Sequence, residues 1–363
     1  MGFFPKKRGY PVSFQLQIMK KYSQKWWFSQ DLLLPLQSMS ISLTHIQEQL
    51  RPELDALNDI IVTTLTSGSE LTNSIVKTYL KTKGKMLRPI VTLLSAKFFG
   101  GINEKALQGA AALEMLHNAS LIHDDVIDEA KERRGLPTIN NVWSNHVAVL
   151  VGDFFVTGAL RCGVATGDGR ILSALADMGR DLSLGEIDQV DIARNHNIDE
   201  GTYMNIIRAK TASLFECCAE VGGYANDAPQ TTIDELRRYA RLLGICFQIK
   251  DDTFDYYNDP VIGKPTGNDL REGKVTLPLI YALRRDDMPE CDEMLELVKK
   301  DRPTCEDIDR LIDFAKRAGG IDYAYETMNR LRDEANDVLS PYSPHETVDQ
   351  LREIFDYVIE RKL

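Results

Sequence analysis

Histidine, paired cysteines and long apolar runs are all scarce in this 363-residue chain. The six histidines include no HExxH, which excludes a zinc-protease site of that type. The six cysteines (Cys162, Cys217, Cys218, Cys246, Cys291, Cys305) form no CxxC. That excludes a zinc ribbon or a thioredoxin-like redox motif and fits reduced thiols in a cytoplasmic protein. No apolar run reaches the roughly 18 residues of a membrane span, and the N-terminus lacks the apolar core of a secretory signal peptide. Basic residues are outnumbered, 43 against 54 acidic, for a net charge of -11. This argues against general nucleic-acid binding. Also missing are period-two alternation rich in β-branched residues, a short internal repeat and a low-complexity linker.

What remains is helical patterning. Leu50, Leu54, Leu57, Ile61 and Leu65 recur at steps of three and four. Helices are expected over 71–82, 90–99, 104–129, 145–164, 171–193, 200–222 and 233–257. Shorter ones follow a Gly-, Pro- and Lys-rich loop at 258–276. The expectation is one all-α domain over 41–363. Residues 1–40 differ: Lys6, Lys7, Arg8, Lys20, Lys21 and Lys25 face a single acid, Asp31. They read as a disordered extension, or as a segment absent from the mature protein with Met39 as its start.

The most informative stretch is Leu113 to Gly135. It is apolar on nearly every side, the mark of a buried helix, yet His117, Ser120, Asp124 and Asp128 fall on one face. Unpaired buried carboxylates are costly, so this stripe must face cations or line a wet cavity. The pattern returns once. Asp124-Asp125-Val-Ile-Asp128 is echoed by Asp251-Asp252-Thr-Phe-Asp255, again after an apolar run. Such carboxylates suit a hard cation; Mg²⁺ typically takes one or two of them plus substrate phosphates. Bases surround both copies: Arg133, Arg134, Lys264 and Lys274, with Lys85, Arg88 and Lys210 further off. As a set they suggest a polyanion gripped by metal and by Lys and Arg together. Two like charges about 4 Å apart repel by about 4 kcal/mol at an effective dielectric constant near 20. Six aspartates therefore cannot face a diphosphate without divalent ions between them. With the greasy helices, this points to a diphosphate on an apolar tail.

At this point the residues resemble a family, the trans-isoprenyl (polyprenyl) diphosphate synthases. The resemblance runs from about residue 45 to the C-terminus. It rests on GKMLRP (84–89), HNASLIHDDVIDEAKERRG (117–135), Gly152-Asp153, GEIDQ (185–189), Lys210-Thr211, FQIKDDTFD (247–255) and GKPTGNDLREGKVTLP (263–278). It implies a helical fold with a central cavity, several Mg²⁺ ions per site and a homodimer. The implied substrates are isopentenyl diphosphate and an allylic diphosphate. Carried over residue by residue, Asp124, Asp125 and Asp128 would hold metal on the allylic diphosphate, with Asp251, Asp252 and Asp255 opposite. Arg133, Lys210 and Lys264 would grip that diphosphate, with Lys274 as an extra contact. Lys85, Arg88, His117 and Arg134 would hold isopentenyl diphosphate. Thr211 and Gln248 would place oxygens near a developing carbocation. Lys250 departs from the family pattern and is expected to point outward toward a surface acid.

Small residues below Asp124, Ala119 and Ser120, imply an open tunnel and a long product of the quinone side-chain type. Leu116, Leu113, Phe154, Phe155 and Leu160 are the candidate blockades. An apolar product also suggests peripheral membrane contact on release. The rival readings are a shorter-chain (farnesyl or geranylgeranyl) synthase, a class I terpene cyclase, a non-catalytic partner subunit and a structural metal-binding bundle. The second acidic cluster and GKMLRP weigh against the cyclase.

Overall fold

The computed structural model describes residues 41–81, 84–195, 198–257, 266–300 and 302–362. Residues 1–40, with Met39, and Lys264 lie outside the described residues. In chain order the helices are α1 (Ile41–Gln49), α2 (Arg51–Thr64), α3 (Glu70–Tyr79), α4 (Leu87–Phe99) and α5 (Glu104–Ile127). After a two-stranded ribbon come α6 (Ile139–Val142), α7 (Asn145–Ala165), α8 (Gly169–Asn195) and α9 (Glu200–Ile207). A π-helical turn (Arg208–Ala212) leads into α10 (Ser213–Ala225) and α11 (Gln230–Phe254). Then follow α12 (Asn268–Arg271), α13 (Leu277–Leu283), α14 (Cys291–Val298), α15 (Cys305–Arg317), α16 (Gly320–Leu339) and α17 (Glu346–Glu360).

The central helix α5 starts where Asn103 caps it, its side chain accepting the Ala106 amide. It is buried along most of its length and packs against α7, α4, α10 and α2. The second aspartate-bearing helix, α11, packs against α10 and α16. Two apolar cores result. The larger joins α1–α5, α7–α11, α16 and α17; the smaller joins α12–α15 with Tyr256 and Ile321.

Three features depart from the sequence expectations. The ribbon β1 (Glu132–Arg133) and β2 (Leu136–Pro137) pairs Arg133 with Leu136 across Arg134 and Gly135. Both linking residues have positive φ, +52° and +73°, as a tight hairpin turn of matching twist requires. The helix expected over 200–222 is broken by the π turn. Gly244 allows α11 to approach that turn, since a Cβ there would lie 2.6 Å from the Ala212 Cα. Finally, α7 is by length and composition apolar enough to cross a membrane. One face, including Ala148, Gly152, Phe155, Ala159 and Cys162, is buried. The helix is thus a core element that leaves Val149, Leu150, Leu160 and Val164 exposed on its other side.

Candidate active site

The last turn of α5 presents Asp124 and Asp128. Neither carboxylate has a hydrogen-bond or ion-pair partner among the described residues. Burial, with Glu186 adding its charge, pushes the Asp124 carboxyl up to about 6, while Lys210 opposes the rise. Burial likewise raises Asp128, against the pull of Lys274. Asp125 behaves differently: it is buried and accepts Arg133 Nε at 2.8 Å. The hairpin folds Arg133 back to make this contact, so the guanidinium expected on the allylic diphosphate is here held by the acidic cluster itself.

Each aspartate of the second cluster has at least one partner. Asp251 Oδ1 accepts Arg361 Nη2 at 2.7 Å, with that guanidinium stacked over Phe247. Asp252 accepts Tyr203 Oη (2.6 Å) and Gln248 Nε2 (2.8 Å). Burial and the neighbouring Asp269 raise its carboxyl, and the two donors oppose the rise. Asp255 accepts the backbone amides of Asn268 (2.9 Å) and Asp269 (3.0 Å), which ties the 266–276 loop to α11. Asp269 is pushed up to about 7 by burial and Asp255.

Beside the second cluster lies a cavity of about 120 Å³, partly open to solvent. Lys210, Thr211, Gln248, Asp252, Asp269 and Lys274 line it. The π turn aims Lys210 at Glu186 (2.8 Å) and Gln189 (3.2 Å), and Thr211 Oγ1 donates to Gln248 Oε1 at 2.6 Å. Lys274 pairs with Glu272 at 2.6 Å and pulls on both Asp128 and Asp269, so it sits between the two clusters.

A second, basic group of residues gathers around Arg88. Met86 at φ +54° makes the turn between Lys85 and Arg88, a conformation uncommon for a side-chain-bearing residue and concentrated at functional sites. Arg88 Nη1 lies 3.0 Å from His117 Nε2, and its guanidinium stacks on Phe215 and Phe247. Its Nε is buried with no hydrogen-bond partner among the described residues, an orphan donor that an incoming anion would satisfy. Burial and Arg88 hold the His117 imidazole neutral, well below its ordinary value. Arg134 lies against Gly84, and Lys85 sits over the Tyr357 ring. Of the four residues expected to hold isopentenyl diphosphate, Arg88 meets His117 directly and Arg134 reaches Gly84, the neighbour of Lys85 in the chain.

Two expectations fail. Lys250 does not reach a surface acid. It is buried, donates to Tyr325 Oη at 2.7 Å and lies over the Tyr325 and Phe254 rings. Its cation is satisfied by aromatic faces of α11 and α16. Leu160, a candidate tunnel floor, is 48% exposed on the outer side of α7. Of the other chain-length candidates, Ala119, Leu113 and Phe155 are buried, and Leu116, Ser120 and Phe154 are half-buried. Phe155 meets Tyr79 edge to face at 5.5 Å, and Ser120 Oγ turns back onto the His117 carbonyl. None of them lines the cavity described above.

Sequence reasoning missed Glu186, Gln189 and Asp269, although GEIDQ and GKPTGNDLREGK contain them. It also missed Tyr203 and Arg361, which carry no local signal. Among the described residues no three metal-binding side chains already surround one point. The donor set nevertheless fits a hard divalent cation. Asp124 and Asp128 present carboxylate oxygens one turn apart, and burial, with the charge of Glu186 added to it, raises both carboxyls, a penalty that a divalent cation would relieve.

Comparison with known proteins agrees with this geometry. The family model described as polyprenyl synthetase matches residues 69–314. Octaprenyl diphosphate synthase of Haemophilus influenzae is 33% identical over 81% of this chain and 89% of its own. An all-trans-nonaprenyl-diphosphate synthase (geranyl-diphosphate specific) of Rhodobacter capsulatus is 34% identical over 82% and 87%. The crystal structure of a decaprenyl diphosphate synthase from Rhodobacter capsulatus superposes with a TM-score of 0.81 at 33% identity, covering 88% of this chain and 99% of that one. A polyprenyl synthase from Caulobacter crescentus, complexed with calcium and isoprenyl diphosphate, gives 0.83 at 30% identity, covering 89% and 98%. The chain belongs to the polyprenyl synthetase family. Members of this family work with a divalent metal ion.

Proposed function

We propose that the chain is a trans-prenyltransferase. It condenses isopentenyl diphosphate repeatedly onto an allylic diphosphate such as farnesyl diphosphate, yielding a long-chain all-trans polyprenyl diphosphate for a quinone side chain. The observation that carries this reading is a cavity lined by Asp252, Asp269, Lys210 and Lys274, together with a separate basic group in which Arg88, with an orphan Nε, meets His117. The relatives' names support the long-chain reading, being octaprenyl, nonaprenyl and decaprenyl synthases.

The cofactor in this reading is Mg²⁺, held from Asp124 and Asp128 on one side and Asp251 on the other; when bound it neutralises charge on the departing diphosphate. Lys210, Lys274 and Arg133, with Lys264, hold the allylic diphosphate. Arg88 and Lys85 hold the second diphosphate, and neutral His117 adds a hydrogen bond without adding charge. Thr211 and Gln248 turn oxygens toward the allylic carbon as its carbon–oxygen bond breaks. The double bond of isopentenyl diphosphate attacks that carbon, and the freed diphosphate accepts the proton lost. The helical walls exclude water, which would quench the cation.

A homodimer fits the apolar strip that Val149, Leu150, Leu160 and Val164 expose along α7. Cytoplasmic residence fits six unpaired cysteines, and release of so apolar a product suits a membrane surface. The alternatives are a shorter-chain synthase and a non-catalytic partner subunit; two relatives are named heptaprenyl diphosphate synthase component 2. One experiment separates these. The protein is incubated with Mg²⁺, labelled isopentenyl diphosphate and an allylic starter, and the products are sized. Products longer than geranylgeranyl are expected. Farnesyl diphosphate alone would refute the long-chain reading, and no turnover would favour the partner subunit.

A further inference from the structure

The two oxygens nearest the expected carbocation belong to a hydrogen-bonded chain that leads away from the cavity. Thr211 Oγ1 donates to Gln248 Oε1 at 2.6 Å, and Gln248 Nε2 donates to Asp252 Oδ1 at 2.8 Å. Tyr203 Oη donates to Asp252 Oδ2 at 2.6 Å. Tyr203, Asp252 and Thr211 are all buried. Asp252 accepts at both oxygens, from the Gln248 amide and from the Tyr203 hydroxyl, and an acceptor held in that way dictates which end of the neighbouring amide faces it. Asp252 lies one helical turn after Gln248 and takes the amide's NH₂ end. The carbonyl end is left on the Thr211 side, and the Thr211 proton must point inward to meet it. Both oxygens then keep lone pairs for the cavity. With the amide reversed, its positive end would face a forming cation. Tyr203 completes the arrangement by occupying the second carboxylate oxygen, which fixes the Asp252 rotamer across α9 and α11.

We propose that Tyr203 and Asp252 are positioning residues that set the polarity of Gln248 and Thr211. Asp252 acts as a hydrogen-bond anchor and not as a ligand of the metal, despite its place in the second DDxxD. Its two oxygens are already taken by donors, whereas among the described residues Asp124 and Asp128 have none. The inference rests on the prenyltransfer reading and extends it to a tyrosine that lies outside both acidic clusters.

The test uses the full chain and the variants Tyr203→Phe, Gln248→Glu, Asp252→Asn and the double exchange Gln248→Glu/Asp252→Asn. Steady-state kinetics and Mg²⁺-dependent binding of inorganic pyrophosphate, by calorimetry, are measured for each. Tyr203→Phe is expected to lower kcat by about tenfold to a hundredfold, the worth of one hydrogen bond to a charged group. Its KM for both diphosphates should stay within about twofold, because uniform substrate binding is untouched. Gln248→Glu sets two carboxylates side by side, and Asp252→Asn frees the amide to reverse. The double exchange restores one amide donating to one carboxylate in a fully satisfied chain. It should recover at least about tenfold over the worse single variant. A double variant no better than the singles would overturn the polarity role, as would Tyr203→Phe raising KM at unchanged kcat. Loss of metal-dependent pyrophosphate binding in Asp252→Asn would make Asp252 a metal ligand and overturn the anchor. A wild-type chain that binds pyrophosphate yet forms no prenyl product would sink the prenyltransfer reading instead.

Discussion

At the scale of single residues, most of the carboxylates of the two clusters are already held by cations or by neutral donors. Asp125 has Arg133, Asp251 has Arg361 and Lys210 has Glu186. Asp124 and Asp128 stand apart, and the Asp124 carboxyl at about 6 fixes a pH signature. A carboxyl raised on folding takes up a proton between its unfolded value near 4 and about 6. Its contribution to stability is therefore complete below about pH 4 and lost as pH rises through about 6. A divalent cation acts against the same charge only once the proton has gone. Thermal unfolding should accordingly show Mg²⁺ raising Tm more at about pH 8 than at about pH 5; an equal shift at both would contradict this. The same residues show what the sequence makes legible. Lys85, Arg88, His117, Arg133 and Arg134 are readable because they stand in motifs, GKMLRP and HNASLIHDDVIDEAKERRG, that resemble those of the family; the bases alone suggest only a polyanion. Arg361 and Tyr203 are not. Each is a lone residue with no periodic partner, brought to α11 only by tertiary packing.

At the scale of elements, helix existence follows from three- and four-residue apolar spacing, and caps such as Ser69, Asn103 and Thr304 set the starts. The π turn and the hairpin escape such reading because both are local breaks of period inside otherwise regular sequence. Glu216 braces the π turn. Its buried carboxylate receives Arg237 at 2.9 Å and Arg241 at 2.8 Å from α11, with Arg208 of the turn itself at 3.5 Å. Glu216→Ala leaves three guanidinium groups facing one another and should cost about 3 kcal/mol of stability by urea unfolding. A loss well under 1 kcal/mol would mean that solvent screens the cluster. Along α5, the small residues carry the length question. Ser120→Phe or Ala119→Tyr should shorten the product, read by chromatography of the dephosphorylated chains. Unchanged length would contradict a tunnel along this helix, and the half-buried Leu116 and buried Phe155 would then lose their place as its floor.

At the scale of the whole molecule, α7 has an inner face closed on α5 and an outer apolar strip. Val164 is 66% and Leu150 57% exposed, large values for side chains that gain by leaving water. A second copy covering this strip would rest on the helix that backs α5. Leu160→Glu should convert a dimer to monomers by light scattering while far-ultraviolet circular dichroism stays unchanged. A variant that stays dimeric would place the interface elsewhere. The all-α architecture was legible from spacing, because long strands leave period-two signals that the sequence lacks. The outer strip of α7 was not, since periodicity marks an apolar residue without saying which of two apolar faces meets the core.

The π turn at Arg208–Ala212 has a consequence for heredity. It holds one residue more than an α-helical path between the same ends, so everything after it is rotated by about 100° relative to an uninterrupted helix. One inserted codon can create such a turn and one lost codon can erase it. An in-frame deletion that a surface loop would absorb would here swing Lys210 and Thr211 off their targets while leaving every residue type in place. Two chains with matching letters but a one-position slip between Tyr203 and Ser213 would therefore share a spelling and not a catalyst.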